Sequence, residues 1–90
     1  MLPFPHLDTI CDTVRRLPGM QLWIFGSALS NDTPRDIDLL LIYDRLVDAQ
    51  EVRMADWWED YEPPIDLISM TMEEEAEYRF IEVTRAERLV

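Results

Sequence analysis

The sequence contains no lysine, one cysteine, one histidine and two glycines. Its eight basic residues are all arginines, set against nineteen acidic residues, and the formal net charge is -11. Such a surface repels phosphodiester backbones, so free nucleic acid is not expected as a high-affinity ligand. Cys11 alone cannot form an internal disulfide, and no apolar run is long enough to span a membrane. We therefore expect a protein of the reducing cytoplasm that does not enter a membrane.

The composition predicts one packed domain over residues 1–90. Hydrophobic residues make up 48% of the chain, which argues for a globule and against a disordered tail. Ninety residues are enough for a single core. A basic protein partner fits the acidic balance, although acidic surfaces commonly serve only to keep a protein soluble.

Apolar residues at helical spacing predict a first helix from about Leu7 to Leu17, closed by Pro18-Gly19. Cys11 lies on the apolar stripe of this helix, so we interpret it as a core residue. Three compact apolar runs predict mostly buried strands, and these are Met20–Phe25, Ile37–Tyr43 and Ile65–Met70.

Two further helices are predicted. The middle one is marked by a stripe that comprises Val47, Glu51, Met54, Trp58 and Tyr61, with Trp57 as the candidate for exposure. The last begins with a capping box, Thr71 and Glu74, and is expected to end near Ile81. The closing segment 87–90 predicts a short edge strand. This order of elements predicts an α/β or α+β class, a small mixed β-sheet with helices packed on it.

The most informative motif is Phe25-Gly26-Ser27, followed after eight residues by Asp36-Ile37-Asp38. Gly26 follows a buried strand, where a residue without Cβ lets backbone amides approach a phosphate, and Ser27 adds a hydroxyl donor. Asp36 and Asp38 are expected to leave the same face of a strand, with their Cα atoms about 7 Å apart. One divalent ion fits between two such carboxylates.

Asp66 supplies a third carboxylate near the start of the third strand. Mg²⁺ prefers oxygen ligands and binds through one or two carboxylates plus substrate phosphates. If the strands are neighbours, one or two Mg²⁺ ions would be held by Asp36, Asp38 and Asp66, and Asp66 would accept the proton of an attacking hydroxyl. Taken singly, Gly-Ser is an ordinary turn and Asp-X-Asp the polar face of an edge strand. Together and in this order they favour a metal–nucleotide site.

These residues resemble the signature of the DNA polymerase β-like nucleotidyltransferase superfamily, and the chain is similar to its stand-alone minimal members. The resemblance extends from about Met20 to the tail, including Phe80-Ile81-Glu82. It implies that Gly26 and Ser27 contact a triphosphate, that the three aspartates are catalytic and bind Mg²⁺, and that NMP moves from NTP to a hydroxyl. Family members commonly have arginine and a second glycine after the serine, where this chain has Ala28-Leu29-Ser30. Arg35 either supplies the missing phosphate-binding cation or pairs with its acidic neighbours.

A chain this short has little left for an acceptor-binding domain, so we expect a protein partner to present the acceptor. In the resembling family, minimal nucleotidyltransferases are often paired with a helical HEPN-type protein. Some act as antitoxins that add AMP from ATP to a tyrosine of that partner. Two alternatives remain open, namely a silent module that binds a partner and a domain that senses NTP without transfer. The sequence leaves homo-oligomerisation open.

Overall fold

The computed structural model describes residues 7–30, 33–54 and 63–90, and within them four helices accompany a four-stranded mixed sheet. In chain order the elements are α1 (Leu7–Arg15), β1 (Gln21–Phe25), a 3-10 turn (Gly26–Leu29), β2 (Ile37–Tyr43), α2 (Leu46–Met54), β3 (Ile65–Thr71), α3 (Met72–Tyr78), α4 (Phe80–Thr84) and β4 (Glu87–Arg88). The strand order is β3-β2-β1-β4. β2 runs parallel to β3, and β1 runs antiparallel to both β2 and β4. The predicted α+β class is confirmed.

One face of the sheet, here called the α1/α2 face, carries the larger core. Side chains alternate along a strand, so Leu22 and Ile24 of β1 point to this face together with Leu39 of β2. All three are fully buried. The cluster consists of Leu7, Ile10, Cys11, Val14, Met20, Leu22, Ile24, Ala28, Ile37, Leu39, Leu41, Ala49, Val52, Ile65 and Leu67. The interpretation of Cys11 as a core residue is confirmed.

The opposite face, here called the α4 face, carries a smaller cluster. Its buried members are Leu40, Ile42 and Met70. The partly buried side chains packed against them are Trp23, Phe25, Phe80 and Ile81. Two of these come from α4, so within the described residues this short helix contributes the helical side of the small cluster.

The strand predictions are confirmed closely. β2 has the predicted bounds, β1 begins one residue later than expected and β3 ends one residue later. The edge strand also forms, because Trp23 pairs with Arg88 and Ile24 with Glu87. The N–H groups of Leu89 and Val90 donate to Leu22 O at 2.7 and 3.1 Å, which continues this edge contact to the last residue.

The predicted buried stripe of the middle helix is wrong. Val47 and Met54 are exposed, at 56% and 86%, and the buried residues of α2 are Asp48, Ala49 and Val52. Both sides of this helix carry apolar residues, so helical periodicity cannot select between them. Close packing against the sheet selects the side with the small residues.

The predicted single last helix is divided in two. The capping box is confirmed, since Glu74 N–H donates to Thr71 Oγ1 at 3.1 Å and Thr71 N–H donates to Glu74 Oε1 at 3.0 Å. α3 then ends at Tyr78, and the next residue, Arg79, adopts a left-handed conformation with φ 53°. That conformation costs a non-glycine residue about 1–2 kcal/mol. Here it redirects the chain so that the first two residues of α4 pack on the sheet.

The predictions for Trp57, Trp58 and Tyr61 lie outside the described residues. Within the described ranges, no helix has both the length and the hydropathy that a bilayer-crossing segment requires.

Candidate functional site

Three strand ends meet at one edge of the sheet. β1 finishes where β2 and β3 begin, because β1 is antiparallel to β2 and β2 is parallel to β3. In the sheet register, Asp38 lies opposite Phe25 on one side and opposite Asp66 on the other. Residues directly opposite one another project from the same face. Asp38 and Asp66 therefore stand side by side on the α4 face, at the end of the small cluster.

The Gly26-Ser27 corner lies directly against Asp38. Gly26 has φ 79°, a conformation that favours glycine. A Cβ atom at this position would also overlap Asp38 Oδ2 and stand 3.3 Å from Asp38 Cγ. The backbone conformation thus favours glycine, and any larger residue would also require the Asp38 carboxylate to move. The sequence predicted that Gly26 and Asp38 belong to one site, and the fold brings the two residues into contact.

Ser27 and the residues after it form the 3-10 turn that follows β1. Ser30 N–H donates to Ser27 O at 3.1 Å and closes this turn. Ser27 is exposed, whereas Ala28 is buried in the α1/α2 cluster. Buried Ala28 anchors the turn, and the exposed serine hydroxyl remains on the outside, where it is available to a ligand.

Asp36 occupies a different position from the one expected. β2 starts at Ile37, so Asp36 lies just before the strand and is exposed. It is nevertheless close enough to act on Asp38 electrostatically. Burial raises the pKa of the Asp38 carboxyl above its usual range, and the negative charges of Asp36 and Asp66 raise it further. Asp38 is therefore the carboxylate on which the charges of both neighbours act, and a cation beside it would relieve that repulsion.

None of the three carboxylates is neutralised by an arginine of the described ranges. The ion pairs found between described residues are Arg15–Asp12 at 3.1 Å and Arg79–Glu82 at 2.6 Å. Arg35 is exposed on the approach to β2, and within residues 7–30, 33–54 and 63–90 it makes no ion pair. It is thus not committed to a described acidic neighbour.

The fit to a metal ion is partial. In the part of the chain that the structure describes, no three His, Cys, Asp or Glu side chains form a group that could hold a metal ion. Asp38 and Asp66, in register on adjacent strands, do offer the one or two carboxylates through which Mg²⁺ usually binds when substrate phosphates complete its coordination. Of the three carboxylates that the sequence predicted as metal ligands, the structure therefore brings two, Asp38 and Asp66, into register on adjacent strands.

Sequence reasoning missed two residues that support this edge. The ring of Phe80 packs edge-to-face on Phe25, with the ring centroids 4.9 Å apart, directly before the Gly26 corner. Arg53 of α2 donates to Leu67 O at 2.9 Å, one residue after Asp66. The apolar character of Phe80 in the last helix indicated that it would pack on the sheet. No sequence pattern predicts that the exposed Arg53 binds a strand carbonyl.

The chain matches no protein-family model, no curated protein and no solved structure.

Proposed function

We propose that this protein binds a nucleoside triphosphate with Mg²⁺ at the neighbouring carboxylates of Asp38 and Asp66. It then transfers the nucleoside monophosphate to a hydroxyl group. The observation that carries the proposal is the in-register pair of carboxylates against the Gly26-Ser27 corner, with the pKa of Asp38 raised by burial and then by its acidic neighbours. Crowded carboxylates at a sheet edge are costly unless a cation compensates them.

In this proposal Asp38 and Asp66 would hold Mg²⁺, Asp36 would add a third negative charge, and Gly26 and Ser27 would face the phosphates. Arg35 is the candidate for a phosphate-binding cation. Bound Mg²⁺ would supply electrophilic stabilisation of the phosphates and orient them.

The reaction is an in-line displacement at the α-phosphorus. The acceptor oxygen forms the new P–O bond as the bond to the pyrophosphate oxygen breaks. Asp66, exposed at the strand end, accepts the proton of the acceptor hydroxyl. Pyrophosphate leaves with the negative charge.

The proposed acceptor belongs to a protein partner, with ATP as the nucleotide and AMP as the transferred group. The net charge of -11 favours a basic partner. By the family resemblance, a HEPN-type partner modified on tyrosine would make this chain an antitoxin. The proposed location is the cytoplasm, in keeping with a single cysteine that lies buried.

A second function, binding of NTP or of a partner without turnover, has its own support. No three-carboxylate metal group is formed by the described residues, and the turn after Ser27 carries the apolar residues Ala28 and Leu29 instead of a cation. These features suit a nucleotide-binding or partner-binding module that lacks catalysis.

The experiment that tests the proposal follows label transfer from ATP labelled at the α-phosphate, with Mg²⁺ and candidate HEPN-type partners. Asp38→Asn and Asp36→Asn are each expected to lower transfer by about 100-fold or more, since each removes a charge that the metal–phosphate complex needs. Glu77→Gln, an exposed carboxylate on α3, is the matched control and should leave transfer unchanged. Thermal stabilisation by Mg-ATP without any transfer supports the module, and absence of both rejects nucleotide binding.

A further inference from the structure

Arg53 connects the last turn of α2 to β3 through two hydrogen bonds. Its Nη2 donates to Leu67 O at 2.9 Å, and its Nε donates to Ser69 Oγ at 3.1 Å. Hydrogen bonds from a guanidinium are charge-assisted and stronger than those between neutral groups. Although Arg53 is exposed, its planar group is therefore fixed by two acceptors on one strand.

β3 is an edge strand, and β2 is its only neighbour in the described sheet. Ile37 N–H donates to Pro64 O at 2.9 Å, which fixes which backbone groups of β3 face β2. Backbone groups of successive strand residues alternate in direction, so those of Asp66 also face β2 and those of Leu67 face outward. Arg53 binds this outward carbonyl. β2 and Arg53 thus hold the strand from opposite sides around Asp66.

We infer that Arg53 is a positioning residue that holds Asp66 beside Asp38 by clamping the outer edge of β3. The inference rests on the proposed function, because Asp66 is there the group that binds Mg²⁺ and accepts the proton. Arg53 acts on the opposite side of the strand from β2 and does not touch the substrate.

The test compares Arg53→Ala with Arg45→Ala, which removes the same charge from an exposed residue just before α2. Amide hydrogen exchange is measured at Ile37, whose N–H donates to β3, and at Leu22, whose N–H donates to Val90 O at 3.3 Å on the other side of the sheet. Arg53→Ala is expected to raise exchange at Ile37 about tenfold and to leave Leu22 unchanged, because only the β2–β3 pairing loses support. Arg45→Ala should change neither.

The second readout is the transfer reaction. Arg53→Ala should lower kcat about tenfold with a smaller rise in KM for ATP, because Asp66 alone accepts the proton in the chemical step, whereas it shares the Mg²⁺ with Asp38. Arg53→Lys retains a donor of the same charge and should recover part of both readouts.

Equal rises in exchange at Ile37 and Leu22 mean general destabilisation and overturn the inference. So does a selective rise at Ile37 with an unchanged kcat. If the wild-type protein transfers no label, the proposed function fails, and the exchange data alone then decide whether Arg53 holds β3 in place.

Discussion

The two faces of the sheet bury very different amounts of apolar side chain. Of the described residues, fifteen form the buried cluster on the α1/α2 face, and three form the cluster on the α4 face. The strands are the same, so the difference comes from the helices that cover them. α1 and α2 have nine residues each, whereas α4 has five.

The face that contributes most to stability is therefore not the face that carries the candidate site. Apolar burial provides most of the free energy of folding, and the α1/α2 face contains most of that burial. The α4 face leaves room at the strand ends for the half-buried Asp38 and the exposed Asp66. A polar group placed on the heavily buried face would lack partners and solvent, which is costly. The lightly covered face therefore accommodates the carboxylates of the candidate site.

The largest expected effect compares one residue type on the two faces. Ile24 is fully buried on the α1/α2 face, and Ile68 is 36% exposed on the α4 face. Ile24→Ala should lower the free energy of unfolding by about 2–5 kcal/mol, because it removes buried methyl groups and leaves a cavity. Ile68→Ala should cost less than about 1 kcal/mol. Urea denaturation with unchanged m-values measures both, and similar costs would remove the distinction between the faces.

The next effect concerns the Gly26-Ser27 corner of the candidate site. Gly26→Ala and Gly19→Ala both place a side chain at positive φ, 79° and 74°, which costs about 1–2 kcal/mol. Only at Gly26 does the new Cβ overlap a carboxylate oxygen, that of Asp38. At Gly19 it stands 3.1 Å from Asp44 Cβ. Gly26→Ala therefore requires the Asp38 carboxylate to rotate away, and urea denaturation should show a small excess cost over Gly19→Ala.

The excess cost at Gly26 has its own control. In an Asp38→Ala background the carboxylate is gone, and Gly26→Ala should then cost about as much as Gly19→Ala. An excess that persists in this background would show that the strain at Gly26 does not come from Asp38.

The smallest effect concerns the pH dependence of stability. The pKa of Asp38 is raised in the folded state, so its contribution to stability is fully present below the ordinary pKa of aspartate and is lost as the pH rises through the raised value. Asp38→Asn removes this loss and should be more stable than the wild type at neutral pH, by less than about 1 kcal/mol because the site is partly exposed.

Chemical denaturation of both proteins from acid to neutral pH measures the difference. Glu77→Gln controls for the general benefit of removing one negative charge from an acidic protein. A gain no larger than that of Glu77→Gln would show that Asp38 is not destabilised by its neighbours.

Features that depend on a few neighbouring residues could be predicted from the sequence. The strand Ile37–Tyr43 has the predicted bounds, and the Thr71–Glu74 capping box forms both of its hydrogen bonds. Cys11 is buried as its place on an apolar stripe indicated. In each case the information lies within a few residues, where strand alternation, helix capping and helical periodicity act.

The sequence did not predict which side of α2 faces the sheet, where the last helix divides or where Arg53 makes its contacts. Val47 and Met54 are as apolar as Ala49 and Val52, and the left-handed Arg79 has no local signal. Each of these outcomes depends on packing between parts of the chain that are distant in sequence.

For the candidate site, the sequence by itself determined which residues take part. They are a glycine-serine turn after one strand and aspartates at the starts of two others. Only the tertiary structure decided that Asp38 and Asp66 share a row, that Asp36 lies before the strand, and that Gly26 touches the Asp38 carboxylate. The physical reason is that strand pairing and register depend on the burial of whole faces of the sheet, which no single segment specifies.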